Sequence, residues 1–113
     1  MSGLHKPWGI ALDDTTVYWT DNMDGTVYSV PKNGHTAPVM LASGQSLAKD
    51  IAVDATNLYW YDFGTNAIMT MAKTGGTPTV LVAGQPIETG LVIADGYLYW
   101  SNSIAGTVNR FKL

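Results

Sequence analysis

One tripeptide recurs three times along this chain of 113 residues. It reads VYW at 17–19, LYW at 58–60 and LYW again at 98–100. The first two tryptophans are 41 residues apart and the last two are 40 apart. Self-similarity at a period near 40 residues is typical of repeat architectures, in which each repeat is one supersecondary unit. The chain is therefore predicted to fold as a row of similar units.

The rows around these tripeptides, residues 9–45, 50–85 and 90–113, share one order of features. An apolar triplet (IAL, IAV, LVI) leads through a turn that contains an Asp to the aromatic run and then to a polar tip (DNMDGT, DFGTNA, NSIAGT). A third run follows (TVYSVP, AIMTMA, TVNRFK), and in two rows a fourth (APVMLAS, TPTVLVA). Residues typical of strands fill these runs, which predicts short strands A to D in each row. The turn aspartates are Asp13, Asp54 and Asp95.

Several of the predicted strands are apolar at nearly every position, as in GIAL, LVI and VLVA. Strands of this kind are buried on both faces. A four-stranded antiparallel sheet between two similar sheets meets that condition, and it is the blade of a β-propeller. We therefore predict an all-β chain of propeller blades, with blade 1 at 8–43, blade 2 at 50–84 and an incomplete blade 3 at 90–113.

The aromatic strands also resemble a known repeat. YWTD at 18–21 is the signature of the YWTD propeller repeat, the low-density-lipoprotein-receptor class B repeat, and YWYD at 59–62 and YWSN at 99–102 are similar to it. The rows are more similar still to bacterial repeats of the form GIAVD…VYWTN…GTV…VP..GG.P..LASGQ, which are common in secreted proteins. The resemblance implies a propeller, typically six-bladed, and a secreted or cell-surface location. It indicates little about activity, because propellers host unrelated functions.

The predicted strands run ABCD, ABCD, ABC, which is about 2¾ blades. A repeat unit buries its faces only against neighbouring units, so the end blades would expose apolar surface of the kind that marks interfaces. Either the chain is a fragment of a longer propeller or several copies share one ring. We favour a homodimer with six blades, because two-fold closure is the commonest oligomer symmetry.

Composition argues against several partners and sites. The net charge of −3 argues against nucleic acid and anionic membranes, which need clustered Lys and Arg. The absence of cysteine excludes disulfides, thiolate metal sites and cysteine nucleophiles. No apolar run has the length of a membrane span, and MSGLHKPWG lacks the apolar region of a signal peptide. We expect no membrane insertion, metal or cofactor.

Two positions in each row are predicted to serve the fold. The aromatic pair recurs in mid-strand, which predicts packing between blades. Its members are Tyr18, Trp19, Tyr59, Trp60, Tyr99 and Trp100. A polar residue also recurs at the end of each aromatic strand, which predicts hydrogen bonds that stabilise the scaffold. These residues are Asp21, Asp62 and Asn102. SGQ at 43–45 and AGQ at 83–85 are predicted to be turn residues only.

A binding site is predicted at the end of the blades that carries the D–A and B–C loops, because binding residues collect on loops of rigid scaffolds. The predicted ligand-binding residues are His5, Lys6, Trp8, Asn22, Asp24, Lys49, Asp50, Phe63, Asn66, Glu88 and Thr89. Trp8 stands out because Lys49 and Thr89 hold the matching positions of the other rows. Variation between rows fits a binding site, and it also fits unconstrained loops.

Three functions follow from these features. The first is a non-enzymatic binding scaffold for a protein or glycan that self-assembles into a ring, and the second is an assembly fragment with no activity of its own. The third is a metal-dependent lactonase-like or lyase-like enzyme, whose ligands only Glu88, Asp50 and Asn22 could approximate. His5 and His35 are predicted on opposite faces, and no HExxH, GxSxG or P-loop pattern occurs. We therefore predict the scaffold and not the enzyme.

Overall fold

A computed structural model describes residues 4–85 and 89–113 of the chain. These residues form strands joined by turns and loops, and they contain no helix long and apolar enough to cross a membrane. The strands are β1 (Pro7–Leu12), β2 (Thr16–Asp21), β3 (Thr26–Pro31), β4 (Val39–Ala42), β5 (Ala48–Val53), β6 (Asn57–Asp62), β7 (Ala67–Ala72), β8 (Thr79–Val82), β9 (Thr89–Ala94), β10 (Tyr97–Asn102) and β11 (Thr107–Lys112).

The strands pair with their sequence neighbours in three antiparallel sheets. Blade 1 is β1-β2-β3-β4, blade 2 is β5-β6-β7-β8, and the described part of blade 3 is β9-β10-β11. The predicted all-β fold with propeller blades is confirmed.

The second blade begins earlier than the sequence pattern indicates. Lys49 and Asp50, predicted to lie in a loop, belong to β5, because an irregularity between Ala48 and Ile51 keeps Ala48 paired with Asp62. A register shift of the same kind separates Pro7 from Ile10 in β1. A bulge turns side chains away from the regular alternation of a strand. The side chains at these two irregular points, Trp8 and Lys49 among them, therefore lie close to the adjoining loops.

The A–B turns fall into two kinds. Asp13 Oδ1 accepts the backbone N–H groups of Thr15 and Thr16, and Asp54 Oδ1 does the same in blade 2. Asp95 is not their counterpart. It starts a two-residue turn with Gly96 in which both residues have positive φ, 52° and 79°, as a type I′ hairpin requires.

The core lies between the blades. Blade 1 packs Tyr18 and Val27 against Leu58 and Trp60 of blade 2. The opposite face of blade 2 packs against Leu91, Leu98 and Trp100 of blade 3. We call the side of a blade that meets the next blade along the chain its leading face, and the other side its trailing face. Because side chains alternate along a strand, blade 2 presents one set of side chains to blade 1 and the other set to blade 3.

The aromatic pair of each row divides between these two faces. Tyr18 and Tyr59 lie buried on leading faces, and their hydroxyls donate to the turn aspartates Asp13 and Asp54 at 3.0 and 2.8 Å. Trp60 and Trp100 lie buried on trailing faces. Tyr99 is half-buried, because none of the described blades packs on the leading face of blade 3.

The prediction that SGQ and AGQ are turn residues only is wrong. Gln45 Oε1 accepts the indole Nε1–H of Trp60 at 3.2 Å, and Gln85 Oε1 accepts that of Trp100 at the same distance. Each glutamine therefore ties a D–A loop to the tryptophan of the following blade. The signal was present in the sequence, since each glutamine stands 15 residues before its tryptophan.

Candidate functional site

The D–A and B–C loops meet at one end of the blades, which we call the loop face. In blade 1 the backbone N–H of Asn22 donates to the carbonyl of Lys6 at 2.8 Å. In blade 2 the N–H groups of Phe63 and Gly64 donate to the carbonyls of Leu47 and Ser46. The two loops of a blade are thus fixed to each other by backbone hydrogen bonds, which makes the loop face a rigid platform.

The polar residues that end the B strands hold this platform. Asp21 is buried, and its carboxylate accepts the backbone N–H groups of His5, Lys6 and Asp24 at 3.0 to 3.3 Å. Asn102 is also buried, and its Oδ1 accepts the N–H of Ala105 at 3.0 Å. The oxygen atoms of both side chains thus accept hydrogen bonds from backbone N–H groups of the loops.

Asp62 fills the same position in blade 2 as a nearly fully buried carboxyl group. Its Oδ1 accepts the indole N–H of Trp60 at 3.1 Å. Burial raises the pKa of Asp62 to about 6, although the hydrogen bonds from the backbone of Ser46 and from Trp60 oppose that shift. A carboxyl group in this state loses its proton near neutral pH at a cost to the fold.

An exposed cluster of aromatic and charged side chains lies on the loop face between blades 1 and 2. Lys49 Nζ lies 4.7 Å from the ring centre of Trp8 and 4.0 Å from that of Phe63. Lys6 Nζ lies 5.6 Å from the same Trp8 ring. Both aromatic side chains remain exposed, at 49% for Trp8 and 42% for Phe63. Two cations thus share one apolar, solvent-facing surface.

His5 and Asp24 extend this surface at its outer side. His5 Nδ1 lies 2.7 Å from Asp24 Oδ1, and both side chains are exposed. The hydrogen bond to Asp24 raises the pKa of the imidazole above its usual range. We call the set of six residues the Trp8 cluster: His5, Lys6, Trp8, Asp24, Lys49 and Phe63.

The backbone beneath the Trp8 cluster is fixed by a close approach of blades 1 and 2. Thr20 Oγ1 donates to the carbonyl of Lys49 at 2.7 Å and accepts the N–H of Gly9 at 3.0 Å. A Cβ atom on Gly9 would lie 2.7 Å from the Lys49 carbonyl oxygen, so a glycine is needed there. Trp8 and Lys49 therefore stand on backbone that the junction of two blades holds in place.

Three other predicted ligand residues turn toward the scaffold. Asn22 is buried and donates to the Ala48 carbonyl at 3.2 Å. Asp50 accepts the N–H of Gly90 at 2.9 Å, and Asn66 accepts the hydroxyl of Tyr61 at 2.8 Å. Glu88 lies outside the described residues. The backbone of Thr89 begins β9, and its side chain is not described.

The opposite end of the blades carries an ion pair that the sequence did not reveal. Lys73 Nζ of blade 2 lies 2.6 Å from Asp13 Oδ2 of blade 1, and both side chains are 20% exposed. Lys73 also donates to the carbonyls of Asp54 and Ala55. These groups line an open cleft of about 490 Å³. The lysine and the aspartate neutralise each other's charge. Their ion pair joins blade 2 to blade 1 across the cleft.

Across residues 4–85 and 89–113, no group of three or more His, Asp or Glu side chains is arranged to hold a metal ion. The Trp8 cluster instead brings together cations, aromatic faces and one His–Asp pair. Such an arrangement can bind an anionic group beside an apolar one.

The same fold occurs in solved structures of other proteins. A chain of a nidogen/laminin complex matches 94% of this chain over 47% of its own length, with a TM-score of 0.78 and 24% identity. A streptogramin B lyase matches 95% of this chain over 40% of its own length, with a TM-score of 0.69 and 18% identity. A virginiamycin B lyase from Staphylococcus aureus matches 96% over 41%, with a TM-score of 0.64 and 14% identity.

These likenesses show the propeller fold, and the chain spans less than half the length of each matched structure. No protein-family model and no curated protein matches the sequence.

Proposed function

We propose that this chain is a non-enzymatic binding scaffold of the YWTD propeller type, secreted or displayed at the cell surface, which holds an acidic segment of a protein partner on the Trp8 cluster. The observation that carries the proposal is the Lys49 ammonium group between the exposed rings of Trp8 and Phe63. A carboxylate of the partner would reach Lys49 and Lys6, while apolar groups beside it would cover the rings.

The energetics of interfaces support this assignment. Tryptophan is enriched among the few interface residues that carry most of the binding energy. Cations over aromatic rings are attracted by about 0.5–1 kcal/mol at exposed sites, so Lys49 is oriented before any partner arrives. Binding to a rigid, pre-oriented surface costs less conformational entropy than binding to a mobile one. The Trp8 cluster meets these conditions because Gly9, Thr20 and Lys49 fix its base.

The carboxylates at and near the loop face support a scaffold rather than an enzyme. Asp21 and Asp62 accept hydrogen bonds from the fold itself, and Asp50 accepts one from Gly90. Among the matched structures, one is a complex of two proteins and others are lyases, so both uses of the fold are known. The side chains of this chain favour the first use.

An array of short peptides of graded acidity, printed beside an array of glycans, tests the proposal. We expect the intact chain to bind acidic peptides. Trp8→Ala and Lys49→Met should each weaken that binding by about tenfold or more, the loss expected for an interface hot spot. Ile104→Ala is the matched control, because Ile104 is an exposed apolar residue of a B–C loop outside the Trp8 cluster.

Two results would contradict the proposal. One is equal binding by the Trp8→Ala, Lys49→Met and Ile104→Ala variants. The other is binding to glycans without binding to acidic peptides, which would assign the loop face to a carbohydrate.

We further propose that the scaffold works as a closed ring of blades. The trailing face of blade 1 and the leading face of blade 3 repeat surfaces that are buried at the two junctions inside the chain.

A further inference from the structure

Blades 1 and 3 each expose one face whose counterparts are buried in the other two blades. On the trailing face, Ile10 of blade 1 is 69% exposed, whereas the matching Ile51 and Leu91 are 6% and 8% exposed. On the leading face, Val108 of blade 3 is 78% exposed, whereas the matching Val27 and Ile68 are fully buried. The difference is therefore one of position in the row and not of residue type.

Val92 and Leu12 extend the same two surfaces. Val92 of blade 3 is 60% exposed at the position where Ala52 of blade 2 is 8% exposed. Leu12 of blade 1 is 59% exposed, and its counterpart Val53 packs against the core between blades 1 and 2. The two open faces thus have the same kind of apolar residues as the two closed junctions, in the same order along the strands.

A buried polar atom on the open trailing face lacks a partner among residues 4–85 and 89–113. Trp19 is 5% exposed, and its Nε1–H makes no hydrogen bond to that part of the chain. The matching indole groups of Trp60 and Trp100 both donate to glutamines. Beside Trp19 lies an apolar cavity of about 390 Å³, lined by Trp8, Ile10, Val17 and Val30 among others. Leu4, which stands at the position of these glutamines, also lines the cavity, so the open trailing face is apolar beside Trp19.

We propose that a second copy of this chain closes the ring by seating the leading face of its blade 3 on the trailing face of blade 1. The two junctions inside the chain are the template, since each joins a leading face to a trailing face. Three blades from each of two copies give six. Head-to-tail contacts make closed rings when the rotation between units closes, and here two identical junctions would be related by a two-fold axis.

The length of the matched structures supports two copies. This chain covers 40% to 47% of the three matched propeller chains, so two copies supply about as much chain as one of them. The inference rests on the ring that we propose for the scaffold, and it names the partner that completes that ring.

The test is the mass in solution, measured by light scattering over a wide range of protein concentration. We expect twice the 12.1 kDa of one chain. Ile10→Asp and Val108→Asp place a charge on either open face, and each should give single chains. Both side chains are largely exposed in one chain, so circular dichroism should show that the variants keep their strands.

Val80→Asp is the matched control. Val80 is 56% exposed although blade 2 has a neighbour on each side, so it lies on the periphery and its variant should remain a dimer. A single chain at every concentration, a trimer or larger assembly, or dimers that survive both face variants would overturn the inference. A single chain that still binds acidic peptides through Trp8 would overturn the second copy and leave the ligand site of the scaffold standing.

Discussion

At the scale of single residues, Leu4 accounts for the lack of an acceptor for Trp19 among the residues that the structure describes. Leu4 stands 15 residues before Trp19, which is the spacing of Gln45 and Gln85 from their tryptophans. A leucine at that position lines the cavity beside Trp19 but offers no acceptor. One side chain thus separates the first blade from the pattern of the other two.

We predict that Leu4→Gln stabilises the chain by about 1 kcal/mol, the usual net contribution of a hydrogen bond. The glutamine would accept the Trp19 Nε1–H as Gln45 accepts that of Trp60. Denaturant unfolding of Leu4→Gln and of Leu4→Met, which keeps a side chain of similar length, measures the difference. If both variants unfold at the same midpoint, the missing acceptor has no energetic weight.

Asp62 leads to a prediction about pH. Its pKa is about 6 in the folded chain, above the ordinary value of 3.8, so folding favours the protonated form. The folded chain therefore loses stability as pH rises from about 4 through 6, because the buried carboxyl group must ionise. Asp62→Asn removes this loss, and blade 3 already carries Asn102 at that position.

We expect Asp62→Asn to raise the free energy of unfolding by on the order of 3 kcal/mol above pH 7, since the pKa of Asp62 lies roughly two units above 3.8 and each unit corresponds to about 1.4 kcal/mol. The gain should disappear near pH 4. Urea unfolding from pH 4 to 8 measures it, with Asp14→Asn as a control for the change in net charge, because Asp14 is exposed. A gain that is independent of pH would show that the carboxyl group does not ionise at a cost.

At the scale of the blade, the strands could be predicted and the contacts between blades could not. The alternation and repetition of LYW, IAL and TVYSV indicated which segments form strands and in what order. The ion pair of Lys73 with Asp13 was hidden because Lys73 follows the C strand of one blade and its partner lies in a turn of another. The position of Lys49 between two rings depends on the irregularity in β5, which no residue pattern indicated.

The Lys73–Asp13 pair should couple blades 1 and 2. Lys73 lowers the pKa of Asp13, so the pair stabilises the fold above the ordinary carboxyl value of 3.8 and loses that effect on acidification. A double-mutant cycle with Lys73→Met and Asp13→Asn should give a coupling energy of about 1 kcal/mol at pH 7, near the upper end for exposed pairs. Lys32, at the matching position of blade 1, supplies the control variant Lys32→Met, which should leave stability nearly unchanged. Zero coupling would show that the pair does not hold the blades.

At the scale of the whole molecule, the proposed ring closure through the open blade faces would determine how many Trp8 clusters one assembly presents. The Trp8 cluster sits at the junction of blades 1 and 2, so a ring of two copies would carry it twice, once in each copy. Two equivalent sites on a rigid ring bind a partner with two acidic segments more tightly than either site alone, provided that the partner can span them. The ring would then set the distance between the two sites, and each Trp8 cluster would contact one acidic segment.

The central claim is that this chain binds its partner through the Trp8 cluster, and NMR mapping of the bound peptide tests it most directly. An acidic peptide selected on the array is added to the isotope-labelled chain while the backbone and indole signals are followed. We predict that the largest changes fall on His5, Trp8, Lys49 and Phe63, with little change around Asp13 and Lys73 at the opposite end. The reverse pattern, with the changes at Asp13 and Lys73 and none at the loop face, would contradict the account.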